Sequence, residues 1–583
     1  MKRVLLTIVI FTCGLVVSIA ATIDRKSVVS RNNPVVTTIS ELNSLTVGNG
    51  HFATTVDVTG LQSFPQDFEQ GVPLCAMSDW GWHTFPNKKY LQHEETLKEM
   101  DLGHNRKEVY AVEYKTDGRN KDATEYYRVN PHRLNLGNFG FVFNGGRTSL
   151  KDIQNINQTL NLFDGNLLSR YSVDGVPVTV TTAALPGRSA LIVSARTKLF
   201  KQGKAALCLS LPYVTGKHAD AATDWGNADA HQSRVVEQSP KYVIIEHVID
   251  ATRYFVRISW NGKASFSNYS NAHRYVLQPQ SDNIEVMVEY APNLPQMQTK
   301  FQYKKDMEAV TACWNKWWQE GAIVDFSECT DSRAKELERR VVLSQYLTFI
   351  NCANDTPPQE TGLTYNSWFG RPHLEMTWWH TVDFSLWGRP QYLERILDWY
   401  NYKAYPFAKK IAERQNFSGI RWMKMTDPWV GESPSNVGSF LTWQQPHYIY
   451  MAEELYRAIP TAETLAKYGE QVEETAEFTA DFISYDKTTG KYFLQGATAM
   501  QECMTKDISY NQPFELAYWH YGLTVANKWR ERQGKPRNAR WDNITKNLSP
   551  LPMATDSIYT AGLPKGKTIG LEVFDPFDTV GSG

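Results

Sequence analysis

The sequence predicts a protein of at least two domains, an antiparallel β-sandwich followed by a domain of helical hairpins. From about residue 37 to 291, short alternating runs rich in Val, Ile, Thr and Tyr recur between turn residues, as in GVPVTVTTAAL and NIEVMVEYA. After residue 331, apolar residues recur at three- and four-residue spacing, as in RRVVLSQYLTFINCA, which is the period of a helix. A chain of 583 residues is also too long for a single ordinary core.

The change of period sets the predicted boundaries. We expect a β-sandwich domain over 21–303, a helical linker over 304–330 and a helical domain over 331–583. Gly48-Asn49-Gly50 and Asp174-Gly175 are turn signals within the first domain. Helices after the linker are predicted at 332–352, 375–388, 391–413, 436–458, 463–482, 511–531 and 537–547. Helical hairpins in this order, after a sandwich, indicate a toroidal catalytic domain.

The first residues have the pattern of an export signal. Lys2 and Arg3 give a positive start, an apolar run extends to Val17, and small residues follow. This run is short for a membrane span, and no other segment is long and apolar enough to be one. We therefore predict a signal peptide over 1–20 and an exported protein, periplasmic or extracellular.

Composition excludes several classes of function. The net charge is −1 and the isoelectric point about 6.9, so there is no basic field to attract nucleic acid. The cysteines of the mature chain lack the CxxC spacing of zinc sites, and neither a metal nor an organic cofactor is indicated. Disulfides and free thiols both remain open for these cysteines, which are Cys75, Cys208, Cys313, Cys329, Cys352 and Cys503.

An aromatic region between Tyr365 and Tyr450 indicates the ligand. It holds eight of the eighteen tryptophans, interleaved with carboxylates, histidines and amides. Aromatic rings stack on the apolar faces of sugars, and polar side chains bind the hydroxyl rim. A Trp-rich core is the alternative, but charged groups are rarely buried unpaired. The region therefore predicts a concave carbohydrate site, and an oligosaccharide as the partner of this protein.

Cleavage of a glycosidic bond requires two carboxyl groups that flank it. In a helical toroid such groups lie on loops at one rim. Glu375, Glu432 and Glu502 lie on predicted loops or helix starts in or near the aromatic region, and Asp427 and Asp507 follow them as candidates.

Several motifs then resemble the bacterial six-hairpin glycosidases, the superfamily that holds glycoside hydrolase families 65, 15 and 95. These motifs are SLTVGNGHFATTVDVTGLQSFP, SDWGWHTFP, GRPHLEMTWWH, TDPWVGESPSN, TWQQPHYIY and NQPFELAYWHYGL. The resemblance implies an N-terminal β-supersandwich, a helical linker and an (α/α)6 toroid. It also implies hydrolysis or phosphorolysis of α-glucosides with inversion.

The resemblance to family 65 assigns roles to particular residues. The segment from Gly370 to Glu375 is similar to the motif that grips the sugar, and the segment from Gly419 to Lys424 follows it. The stretch that ends at Glu502 is similar to the one that holds the family's general acid, which implies this role for Glu502, with Glu432 as the alternative. Residues expected to bind substrate are Trp368, His373, Glu375, Trp378, Arg421, Lys424, Glu432, Gln445 and Gln512, most of them in one cavity.

The helical domain is expected to be incomplete at its C-terminal end. An (α/α)6 toroid has twelve helices, and about seven are predicted after residue 331. We expect the general base beyond another hairpin, or at Asp575 or Asp578 if the chain itself provides one. The prediction is therefore an inverting glycoside hydrolase. Its alternatives are a non-catalytic carbohydrate-binding remnant and a disaccharide phosphorylase.

Overall fold

The computed structural model has an antiparallel, sheet-rich N-terminal part followed by a helical C-terminal part. The predicted signal peptide over 1–20, Cys503, and the candidate bases Asp575 and Asp578 lie outside the described residues. The structure describes residues 23–269, 272–297, 300–500, 502, 504–555 and 558–564.

The N-terminal part is built on a nine-stranded sheet in which all neighbouring strands are antiparallel. Its strands, in spatial order, are Val35–Val36, Gln154–Asn161, Asn166–Val173, Val176–Ala184, Ala190–Thr197, Asn283–Ala291, Thr252–Asn261, Tyr242–Ile249 and His231–Ser239. A four-stranded sheet contains Ala264–Tyr269, Arg274–Pro279, Ala205–Ser210 and Asn138–Phe143, and a three-stranded sheet contains Leu45–Gly48, Phe52–Val56 and Ala76–Ser78.

Local sequence explains these strands. In Val176–Ala184, Val178 and Val180 are buried while their neighbours are partly exposed, which is the two-residue period of a strand with one face in the core. The hairpin before it turns at Asp174 and Gly175, both with positive φ. A two-residue turn of this kind matches the twist of the paired strands, and it confirms the predicted turn.

Short strand pairs and two helices complete the part of the chain before the linker and connect it to later segments. The pairs are Trp82–His83 with His132–Arg133, Leu97–Met100 with Glu108–Ala111, and Ala219–Asp220 with Asn366–Ser367. Three further pairs lie in the C-terminal part and are Ser484–Asp486 with Lys491–Phe493, Ser509–Tyr510 with Leu563–Pro564, and Met553–Thr555 with Ile558–Tyr559. The helices are α1 (Arg25–Arg31) and α2 (Arg119–Val129).

The later helices fall close to the predicted ones, and no described strand runs through 375–460. The predicted start at residue 436 is wrong, because 436–446 form a loop with one short turn at Gly438–Phe440 and the helix begins at His447. These helices are α3 (Tyr303–Gln319), α4 (Ala334–Cys352), α5 (Thr377–Leu386), α6 (Pro390–Trp399), α7 (Tyr405–Arg414), α8 (His447–Ala458), α9 (Ala462–Phe482), α10 (Pro513–Arg532) and α11 (Ala539–Lys546).

Tryptophans of α3 join the sheets to the helices. The Trp318 indole N–H donates to the carbonyl of Leu162 in the sandwich, at 2.8 Å. Trp314 stacks on Tyr346 of α4, with the ring centres 4.6 Å apart. One hydrophobic cluster therefore continues from the sandwich through α3 into the first helices of the C-terminal part.

The described cysteines and helices bear on two of the predictions. Cys75, Cys208, Cys313, Cys329 and Cys352 are all free thiols. Within the described ranges, no helix has the length and apolar character needed to cross a bilayer.

Three histidines form a buried cluster in the N-terminal part. His231 Nδ1 lies 2.6 Å from His247 Nε2, and the rings of His231 and His273 are 3.8 Å apart. The Tyr254 hydroxyl lies 2.7 Å from His247 Nδ1 and donates to the carbonyl of Leu136. Burial, with like charge from His273, lowers the pKa of His231 to about 4, and burial holds the pKa of His247 well below its usual value. His231 and His247 are therefore neutral at pH 5 in the folded chain.

We predict that this cluster makes the fold sensitive to acid. The unfolded chain binds protons at His231 and His247 below about pH 6.5 while the folded chain does not, so stability falls as the pH drops from 7 towards 4. His247→Gln should reduce the loss of melting temperature between pH 7 and pH 5 by about 2–4 °C. Thermal melts at both pH values test this, with His520→Gln, an exposed histidine of α10, as the control. Equal losses in His247→Gln and wild type would contradict the prediction.

Candidate functional site

The ammonium group of Lys424 is the centre of the candidate site. Its Nζ lies 3.2 Å from Glu375 Oε1 and 2.9 Å from Glu502 Oε1. The same nitrogen lies 4.7 Å from the centre of the Trp368 ring. Side chains from three segments far apart in the sequence therefore meet at one cation. The structure brings together four of the residues predicted to form the site.

The two carboxyl groups differ in their access to solvent. The side chains of Glu375 and Lys424 are 6% and 5% exposed, whereas that of Glu502 is 38% exposed. Glu502 therefore lies at the open side of the cluster, where a ligand can reach it. Glu375 and Lys424 lie beneath it.

Short backbone contacts place Glu375 beside Lys424. The Leu374 N–H donates to the carbonyl of Lys424 at 2.7 Å, and the Thr426 N–H donates to the carbonyl of Pro372 at 3.1 Å. The two segments thus run side by side just before α5 begins. On the other side, His447 at the start of α8 donates from Nε2 to the carbonyl of Glu375, at 2.8 Å.

Trp368 is held in an unusual backbone conformation. Trp368 and Phe369 have φ angles of 50° and 60°, in the left-handed region that non-glycine residues seldom adopt. The Phe369 N–H donates to the carbonyl of His218. The imidazole of His218 meets the Trp368 ring edge-on, with the ring centres 4.3 Å apart. A residue of the N-terminal part thus contributes to the wall beside Lys424.

Burial sets the charge of the central groups. It raises the pKa of Glu375 to about 8; Lys424 opposes this rise, and the negative charge of Glu502 adds to it. Burial alone would lower the pKa of Lys424, but the two carboxylates outweigh burial and raise it. At neutral pH the cluster therefore holds a charged ammonium beside a Glu375 carboxyl group that keeps its proton.

Glu432 belongs to a different cluster. Its carboxylate lies 2.7 Å from the guanidinium of Arg414 on α7, and its backbone carbonyl accepts from His93. It shares no partner with Glu375 or Glu502 among the bonds that the described residues make. These bonds place the Glu432 carboxylate apart from the Lys424 cluster, and its membership of a common cavity stays a prediction.

The remaining carboxylate candidates have local partners. Asp427 accepts the N–H groups of Trp429 and Gly431, at 2.8 and 2.7 Å, and so closes a tight turn. Asp507 is exposed and pairs with its neighbour Lys506. Neither contacts the Lys424 cluster.

Arg421 and Gln445 are buried and fully engaged with protein groups. The guanidinium of Arg421 donates to Gln415 Oε1 at 2.6 Å and to the carbonyl of Ser439 at 2.7 Å. The amide of Gln445 accepts from the N–H of Trp422 and donates to the carbonyl of Ile420. Both residues are predicted as sugar ligands, but Gln445 bonds to the backbone that leads into Lys424, and Arg421 bonds to Gln415 and Ser439.

His373 is buried near Trp368, with ring centres 6.0 Å apart. Its Nδ1 donates to the carbonyl of Arg371 at 2.8 Å, and burial lowers its pKa to about 3, so the ring is neutral. Its Nε2 has no hydrogen-bond partner among the described residues. This nitrogen is therefore a buried hydrogen-bond acceptor that no described residue satisfies.

The other two predicted ligands lie on α5 and α10. Trp378 packs against Tyr450 and Trp379, and its buried indole N–H is without a partner in the described part of the chain. The Gln512 amide donates to the carbonyl of Ala497 and to Ser509 Oγ. Gln512 thus holds the loop that contains Glu502.

Two groups near the site, His218 and Glu515, were not among the residues predicted from the sequence. His218 lies in the N-terminal part, about 150 residues before Trp368 in the sequence. Glu515 is fully buried in the first turn of α10 and accepts the Met500 N–H at 2.8 Å. The spacing NQPFE at the start of a predicted helix was the one available signal for Glu515.

No metal centre accompanies these groups. Among the residues that the structure describes, no group of three or more His, Cys, Asp or Glu is placed to hold a metal ion.

Comparison with known proteins supports the fold. No protein-family model matches the chain, and no curated protein matches its sequence. A solved structure of a candidate kojibiose phosphorylase from the human microbiome matches with a TM-score of 0.59 and 10% identity, over 89% of this chain and 70% of that one.

Two further solved structures are more distant. A bacterial glucoamylase complexed with acarbose gives a TM-score of 0.46 at 11% identity, over 88% of this chain and 69% of that one. A family 92 glycosyl hydrolase gives 0.37 at 12% identity, over 88% of this chain and 63% of that one. At these identities the likeness concerns the fold alone, and the first match carries it. The chain therefore shares its overall fold with that candidate phosphorylase, a sheet-rich N-terminal part followed by a helical part.

We predict that Lys424 is needed for stability as well as for the site. Lys424→Met keeps the length of the side chain but leaves two carboxyl groups without their cation. Removal of one member of a buried ion pair should cost about 3 kcal/mol, the low end of the usual range because Glu502 is partly exposed. Urea unfolding followed by tryptophan fluorescence measures this loss.

The matched control is Lys409→Met, which breaks the more exposed pair between Lys409 and Glu474, whose charged atoms are 3.2 Å apart. A pair of this kind contributes about 1 kcal/mol or less. Equal losses in the two variants would show that the Lys424 cluster is an ordinary surface pair.

Proposed function

We propose that this protein is an exported carbohydrate-active enzyme that cleaves the glycosidic bond of an α-linked glucoside or a related oligosaccharide with inversion. One observation carries the proposal. A buried ammonium, Lys424, holds a protonated carboxyl group and a solvent-accessible one beside an aromatic ring. The proposal also takes the helical hairpins to be those of an (α/α)6-type toroid.

Each group of the cluster has a role in this proposal. Trp368 stacks on a sugar face, and the unpartnered Nε2 of His373 accepts a hydrogen bond from a sugar hydroxyl. Glu375 donates a hydrogen bond to a second hydroxyl because it keeps its proton. Glu502 is accessible, and it protonates the oxygen of the leaving group.

Distance argues against Glu375 and Glu502 as an acid–base pair around a water. Both Oε1 atoms lie within 3.2 Å of one nitrogen, so they are no more than about 6 Å apart, whereas an inverting pair leaves roughly 6.5–9.5 Å. The group that activates water is therefore a different one. Asp575 and Asp578 stay predictions for that role.

The same distance argument favours phosphorolysis as a second candidate function. In a phosphorylase, phosphate replaces the activated water, so no second carboxylate at water distance is needed. A protein of similar fold is itself described as a candidate phosphorylase. Product analysis with and without inorganic phosphate separates the two reactions, because only a phosphorylase forms glucose 1-phosphate.

We predict that Glu502→Gln reduces turnover of ordinary α-glucosides by about 10²–10⁴-fold. A glycosyl fluoride needs little protonation of its leaving group, so the variant should retain most of its activity on the fluoride. Steady-state rates on both substrates test this. Equal losses on the two would remove the acid role from Glu502, and Glu432→Gln would then be the variant to examine.

We also predict that sugar binding weakens as the pH rises through about 8. Ionisation of Glu375 removes the O–H donor and adds a negative charge beside Glu502. In Glu375→Gln, affinity for an α-linked glucose disaccharide should be the same at pH 7 and pH 9, as measured by calorimetry. The control Glu463→Gln, at an exposed position of α9, should keep the wild-type pH dependence. If the wild type bound the sugar equally well at pH 7 and pH 9, the role of Glu375 would be contradicted.

A further inference from the structure

The loop that contains Glu502 folds on itself as a tight turn. The Glu502 N–H donates to the carbonyl of Ala499 at 2.8 Å, and the Ala499 N–H donates to the carbonyl of Met504 at 3.0 Å. Glu502 has a φ of 59°, in the left-handed region. Such a conformation costs about 1–3 kcal/mol in a non-glycine residue and persists only where the surroundings hold it.

The surroundings that hold this turn are in the first turn of α10. Glu515 has no exposed surface, and its Oε1 accepts the N–H of Met500 at 2.8 Å. Gln512 secures the two ends of the loop, at the carbonyl of Ala497 and at Ser509 Oγ. Glu515 therefore contacts the loop between these two ends, at Met500, which lies two residues before Glu502.

A buried carboxyl group is an unusual choice for this task. Its second oxygen, Oε2, is buried without a hydrogen-bond partner among the described residues. An unsatisfied buried polar atom costs about 1–3 kcal/mol. An apolar residue would avoid that cost, but it would leave the Met500 N–H without an acceptor and the turn without its inner support.

We infer that Glu515 is a positioning residue, which fixes the Glu502 carboxyl group at the Lys424 cluster through its hydrogen bond to the Met500 amide. This inference rests on the proposed function, because it assumes that Glu502 is the general acid. It predicts that the two carboxylates act as one unit in catalysis. Glu515 itself touches neither Lys424 nor Glu375 in the bonds that the structure shows.

The experiment compares two variants of Glu515 in the full chain. Glu515→Gln keeps an oxygen that can accept the Met500 N–H, whereas Glu515→Leu removes it. We expect Glu515→Leu to lower kcat on ordinary α-glucosides by about 10–100-fold with little change in KM. Its rate on glycosyl fluorides should stay near that of the wild type, and Glu515→Gln should behave like the wild type on both.

Two further measurements separate positioning from simple destabilisation. In a Glu502→Gln background, Glu515→Leu should cause no additional loss, because the group it positions is already absent. Amide hydrogen exchange of the peptide 497–504 should speed up in Glu515→Leu and stay protected in Glu515→Gln. If Glu515→Leu does not fold, Glu515→Asp replaces it, since a side chain shorter by one methylene withdraws the acceptor.

The outcomes are distinguishable. A loss in Glu515→Leu that is equal on glycosides and fluorides would overturn the inference, as would unchanged exchange in the loop. If Glu502→Gln retains full activity on ordinary glycosides, the acid role of Glu502 falls, and if the wild type cleaves neither kind of substrate, the proposed function falls. In that case, the exchange measurement still decides whether Glu515 holds the loop.

Discussion

The bond on which the rest of this structure depends is the one between the Lys424 ammonium and two carboxyl groups. Removal of such groups from water is unfavourable unless their charges meet within hydrogen-bond distance. Here the ammonium of Lys424 meets the Glu502 carboxylate at 2.9 Å and the protonated Glu375 carboxyl group at 3.2 Å, although the three residues lie in separate segments of the chain. Correct assembly of the helical part is therefore a condition for burial of these groups. Bonds around the cluster, such as that from His447 to the carbonyl of Glu375, hold the backbone for that purpose.

The N-terminal part contributes to the same site and does not serve as a spacer. Arg371 donates to the carbonyl of Arg128, at the end of α2, and so ties the segment before Glu375 to that helix. Arg421 reaches the hydroxyl of Tyr110 at 3.2 Å. His218 meets Trp368 directly. Small shifts between the sheets and the helices would therefore move groups of the site.

Much of the fold followed from sequence periodicity, and part of the site followed from residue types. Helix α9 was predicted within one residue at its start, because its apolar spacing is regular and Thr461 caps it. Lys424 lies beside both Glu375 and Glu502, and the roles of these residues stay predictions, because the sequence does not show which way neighbouring polar groups point. Arg421 was expected to bind sugar, yet its bonds go to protein groups. Contacts such as that of Glu515 depend on how a loop returns to a helix, and spacing along the chain does not reveal this.

Backbone strain points to the same place as the electrostatics. Trp368, Phe369 and Glu502 all have φ between 50° and 60°, and two of these residues contact Lys424. Strain of this kind accumulates where the surrounding structure fixes a side chain against its own preference. The left-handed turn at Glu502 leaves its carboxyl group accessible to solvent and also holds that group 2.9 Å from the ammonium of Lys424. A relaxed loop would lose one of these two features. A general acid needs both, since it must meet the substrate while a neighbouring charge holds it in place.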